Sequence, residues 1–132
     1  MDTSILISAF IFRGVPEQAI KKAFSEADIY LSPALLREYR DTPLELFRKG
    51  KIDQLQFKAL IAGIAALVTK AKLIAPQKKF VICRDPTDNM ILDCCYAAKA
   101  DILITGDKDL LDIRDLPFAL RILRPRDFIK AG

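Results

Sequence analysis

The residues best suited to chemistry in this chain are carboxylates placed where apolar stretches end. RDPTDNMILD (84–93) holds Asp85, Asp88 and Asp93, and ADILITGDKDLL (100–111) runs from an apolar stretch into Gly106, Asp107 and Asp109. Asp2 stands at the front of the first apolar segment. Glu38 follows Leu35 by three residues and Ala34 by four, so it borders the apolar face of its helix rather than opposing it. Taken singly, most of these acids have a structural explanation. Asp88 is a good helix N-cap, Asp107 and Asp109 suit a turn and a helix start, and Asp85 suits a turn before Pro86. Gathered on one rim, acids of this kind make a hard, anionic, oxygen-rich pocket, which suits Mg²⁺ or Mn²⁺ rather than zinc. A divalent ion there lowers the pKa of a water and neutralises charge on a phosphate.

The composition narrows the alternatives. The chain has no histidine, which removes Ser-His-Asp and Cys-His catalysis, histidine zinc sites and imidazole-based ribonuclease chemistry. Cys83, Cys94 and Cys95 are odd in number, lack a C-x-x-C spacing and sit among apolar neighbours, as small core residues do. No G-x-x-x-x-G-K-[ST] or G-x-G-x-x-G occurs among the five glycines, so a nucleotide cradle is not expected. The net charge of +4 permits an anionic partner without demanding one. With 52% hydrophobic residues the chain is not disordered, and its longest apolar run, Ala59 to Val68, is too short to cross a bilayer. Met1 is followed at once by Asp2, so no signal peptide is expected, and the reading is a soluble cytoplasmic protein with no membrane partner.

The elements that must position the acids follow from periodicity. At 132 residues, one domain covering 1–132 is expected. Gly14 and Pro16 break the first apolar segment and a helix follows to Glu26; Ile29 to Leu31 is a short strand. Ser32 and Pro33 cap and start the helix ALLREYR, and helical spacing runs from Asp53 to Leu73. Phe80 to Cys83 reads as a strand, followed by a helix that begins at Thr87 or Asp88 and ends near Lys99. Ile102 to Thr105 is apolar on both faces, as buried parallel strands are. A short helix at Asp109 to Ile113 and a strand near Leu120 to Leu123 complete the pattern. Alternation of this kind predicts an α/β fold with a mostly parallel central sheet flanked by helices. Ligands in such sheets bind beyond the carboxyl ends of strands, where Asp107 falls.

DTSILISAF, LSPALLREYR, RDPTDNMILD and ADILITGDKDLL, in that order, resemble PIN domains (PilT N-terminus) over nearly the whole chain, and most of all the VapC-like toxins of toxin–antitoxin pairs. The resemblance implies a three-layer α/β/α fold and a ribonuclease whose shared acids map onto Asp2, Glu38, Asp88 and Asp107 as catalytic and metal-holding residues. It implies Mg²⁺ or Mn²⁺, an RNA substrate cut to leave 5′-phosphate and 3′-hydroxyl ends, a cognate antitoxin, and a homodimer or higher oligomer. Thr105 matches a hydroxyl residue often found near that site, and Ser4 stands where the family usually has Asn. Asp109, then Asp85 and Asp93, are peripheral candidates, and Arg84 and Lys108 are candidates for guiding the RNA backbone. Only Met1 precedes Asp2, where the family has several apolar strand residues, so the expectation is a short first strand or a start set upstream. Two rivals stand beside this reading. One is a catalytically impaired PIN-like module that binds RNA or protein. The other is a phospho-receiver signalling domain, which FVICRDP fits poorly at its third strand.

Overall fold

The structure is a computed structural model and describes residues 14–130. Asp2 and Ser4, two of the expected site residues, lie outside the described residues. Helix α1, Val15–Glu26, follows Gly14, whose φ of 79° is the left-handed conformation that glycine adopts without a Cβ clash. Strand β1 is Tyr30–Leu31, and α2 runs Pro33–Arg48 with Ser32 as N-cap, its hydroxyl accepting the Leu35 N–H at 3.2 Å. The helix is longer than the expected ALLREYR. Pro43 sits inside it, buried, so a proline that lacks the N–H donor does not end the helix when its ring packs into the core.

Helix α3, Gln54–Lys70, opens on a capping box in which Asp53 and Gln56 satisfy each other's backbone N–H groups. The helical periodicity reaches Leu73, but Ala71 ends the helix and Lys72–Leu73 form β2 beside β1. Helix α4, Pro86–Ala98, β3, Ile102–Ile104, α5, Lys108–Leu111, β4, Arg121–Leu123, and α6, Pro125–Lys130, follow. Both strand pairs are parallel, β1 with β2 in the register Tyr30↔Lys72 and β3 with β4 in the register Ile102↔Arg121.

Among the described residues the expected strand at Phe80 to Cys83 does not form, and side chains hold three of its four backbone donors. The Asp93 carboxylate accepts the Phe80 N–H at 2.7 Å, and the Asn89 side-chain oxygen accepts the N–H groups of Ile82 and Cys83 at 3.0 and 2.8 Å. The stretch is pinned to α4 by side chains and pairs with no strand among the described residues. Leu31, Leu35, Tyr39, Leu60, Leu67, Ile91, Leu92, Leu103 and Leu110 form the centre of the core. A cavity of about 560 Å³ is lined by Tyr30 on one strand pair, Ile102 and Leu103 on the other, and Ala23 and Phe128 on the end helices. No helix among the described residues is long and apolar enough to cross a membrane.

Candidate metal centre

Two turns deliver the acids. In the first, Asp85 accepts the Thr87 N–H at 2.9 Å and caps α4, and Pro86 fills the first helical position where no donor is needed. The cap is therefore Asp85 and not Asp88. Asp88 lies in the first helical turn and is only 4% exposed. A carboxylate in that position gains from the helix dipole, but burying it is costly without compensating charge or hydrogen bonds. In the second turn, Thr105 is fully buried at the end of β3, and its hydroxyl accepts the Asp107 N–H at 3.0 Å. Asp107 in turn accepts the Asp109 N–H at 2.9 Å and caps α5, so α5 starts at Lys108, one residue earlier than its periodicity predicts.

These turns bring three carboxylates together. One oxygen from each of Asp88, Asp107 and Asp109 lies within 4.8 Å of the others. Exposure increases across the group, from buried Asp88 through half-buried Asp107 to exposed Asp109. Arg84 reaches Asp109, its Nη2 at 3.2 and 3.3 Å from the two carboxylate oxygens. Three like charges at this spacing repel one another, and a cation between them removes the repulsion. The donors are all hard oxygens. The nearby Cys83 thiol is pushed above its ordinary pKa by burial first and then by Asp88, Asp107, Asp109 and Asp85. Three carboxylate oxygens suit a hard divalent cation.

The other expected residues divide. Glu38 is half-buried on α2 and accepts a hydrogen bond from the Thr42 hydroxyl at 3.2 Å; it is not among the acids that meet within 4.8 Å. Asp109, expected only at the periphery, is in the group, and Thr105 touches it through the backbone of Asp107. Asp85 is a helix cap and Asp93 an anchor for Phe80, so both are engaged structurally. Lys108 is exposed at the start of α5. The residue that sequence reasoning missed is Asn89. Its oxygen holds Ile82 and Cys83, and its nitrogen donates to the Cys83 carbonyl at 3.1 Å, which fixes the approach to the first turn. Its only signal was an amide directly after Asp88, on the first turn of a helix, where an Asn often serves backbone rather than solvent.

An uncharacterized protein of Methanocaldococcus jannaschii is 31% identical over 140 residues, spanning 98% of this chain and 88% of that protein. No solved structure matches the chain significantly. The family model described as PIN domain matches residues 1–109, a span that includes both acid-bearing turns. PIN domains are three-layer α/β/α folds and generally metal-dependent nucleases, which agrees with the helices, parallel strands and acid group described above. With the match covering most of its length, the chain belongs to the PIN domain family.

Proposed function

We propose that this chain, as a single domain over 1–132, is a Mg²⁺- or Mn²⁺-dependent endoribonuclease and the toxin of a toxin–antitoxin pair. The observation that carries the nuclease reading is the convergence of Asp88, Asp107 and Asp109. These three carboxylates would hold the ion, with Glu38 and Asp2 completing the acid set. When bound, the ion supplies charge neutralisation at the scissile phosphate and an acidified water. The chain's own residues set the rest. Asp88 is the buried floor of the group, Thr105 fixes the backbone of Asp107, and Asp109 forms the exposed rim beside Arg84. Lys108 next to that rim adds a charge for the RNA backbone.

The toxin reading includes a protein partner, and exposed apolar side chains support it. Leu44 and Phe47 on α2 and Leu55, Ile61 and Val68 on α3 are exposed, with Leu55 at 78%, whereas Leu67 on the same helix is fully buried. An antitoxin or a second copy covering these side chains would remove apolar area from water. The test of the reaction is cleavage of a single-stranded RNA with Mg²⁺ or Mn²⁺, yielding 5′-phosphate and 3′-hydroxyl ends, abolished by a chelator and in Asp107→Asn. Cleavage that persists in chelator would overturn the metal reading. Growth arrest on expression of the wild type but not of Asp107→Asn, relieved by the product of an adjacent gene, tests the toxin role; light scattering reads the oligomer.

A further inference from the structure

Arg84 is held firmly at its backbone and loosely at its tip. On one side Asn89 binds both the N–H and the carbonyl of Cys83, at 2.8 and 3.1 Å. On the other side Asp85 caps α4 and Pro86 fixes the next φ. The side chain leaves this fixed pivot 88% exposed and reaches Asp109, whose own side chain is 50% exposed. An ion pair so open to water contributes little and is readily exchanged. Yet it engages the one exposed member of a carboxylate group whose other members are Asp88 and Asp107. A divalent cation among the three carboxylates would neutralise Asp109 and leave it little attraction for a second positive charge.

We propose that Arg84 is a placeholder cation: it holds Asp109 while the centre lacks metal, is released when metal binds, and then takes a phosphate of the RNA backbone. The proposal rests on the reading that Asp88, Asp107 and Asp109 hold the ion. Its chemistry favours arginine, because the planar guanidinium matches a carboxylate and a phosphodiester alike. It also gives an order to assembly. Metal binding frees the group that binds RNA, so each ligand strengthens the other's binding.

The experiment compares wild type, Arg84→Gln, Asp109→Asn, the double variant and Asp107→Asn, using calorimetric titration with Mn²⁺ alone and cleavage of a single-stranded RNA oligonucleotide at saturating Mn²⁺. Arg84→Gln removes the competitor and should tighten Mn²⁺ binding about two- to fivefold, the range expected of an exposed pair. The same change should lower kcat/KM for RNA by about tenfold. It should also reduce the slope of log kcat/KM against log salt by about 0.7, the value for one phosphate contact on a single strand. In the Asp109→Asn background, Arg84→Gln should leave Mn²⁺ affinity unchanged, since the competition no longer exists. Mn²⁺ binding that is unchanged or weakened in Arg84→Gln, while Asp107→Asn still loses it, overturns the placeholder role alone. Mn²⁺ binding indifferent to Asp107→Asn overturns the metal reading and the proposal together.

Discussion

The turn at Asp85–Asp88 and the turn at Asp107–Asp109 are built alike and used differently. Each opens a helix with an aspartate that accepts the N–H two residues on, both at 2.9 Å. In the first, the capping aspartate is an exposed bystander and the acid of the group is the buried Asp88, three residues further along. In the second, the cap Asp107 is itself in the group, and Asp109, whose N–H it accepts, is the next member. A carboxylate at a helix start can therefore serve backbone, ligand or both, and only its direction in space decides which. Asparagine separates the roles, because it caps about as well as aspartate but carries no charge.

Asp107→Asn gives the largest expected effect. It keeps the cap of α5 and so leaves the fold intact, but loss of an inner carboxylate should lower RNA cleavage by about 100-fold or more, given that outer partners alone cost 10–100-fold. The paired control, Asp85→Asn, should cleave at the wild-type rate; equal losses in the two would break the distinction between the turns.

Asp88→Asn sharpens the comparison from inside the first turn. Relief of like-charge repulsion should leave the metal-free melting temperature unchanged or higher, while the stabilisation by added Mn²⁺ shrinks or vanishes. An undiminished response to Mn²⁺ would take Asp88 out of the site. Asn89→Ala acts next to it and should destabilise by about 1–3 kcal/mol, because backbone groups of Ile82 and Cys83 lose their partner. Limited proteolysis should then cut first between Phe80 and Arg84, and cleavage beginning elsewhere would show that Asn89 does not fasten this stretch. The smallest effect is that of Asp85→Ala, about 1 kcal/mol from loss of a cap, read by chemical denaturation against a silent Asp85→Asn.

Much of this was legible from residue types. The absence of histidine points to carboxylates, and Asp88 and Asp107, singled out by their placement at element ends, both lie in the acid group. Three features were not. The stretch FVIC has the composition of a strand, but its donors are satisfied by Asp93 and Asn89, and such side-chain competition leaves no trace in periodicity. Asp88 looked like a cap because the residue that caps, Asp85, stands before a proline and reads equally well as a turn. Spacing sets Asp109 at the periphery, yet among the described residues it groups with Asp88 and Asp107, while Glu38 accepts a hydrogen bond from Thr42. Convergence is a long-range property. The contact from Arg84 to Asp109 spans 25 positions of sequence and joins the two motifs, so neither motif alone sets it.

Helix α1 packs on α6, where the Lys22 ammonium donates to the Phe128 carbonyl at 2.7 Å and lies 4.8 Å from the Phe128 ring centroid. These partners are 106 residues apart. For a chain growing on the ribosome, Lys22 on α1 has no α6 to pack against until 106 further residues are made, roughly 5–20 s at ordinary elongation rates. Closure of that long loop is slow in its own right. The acids of both turns are already synthesised by then, so during manufacture this protein passes through a stage in which its chemistry is encoded but its fold is still open at α1.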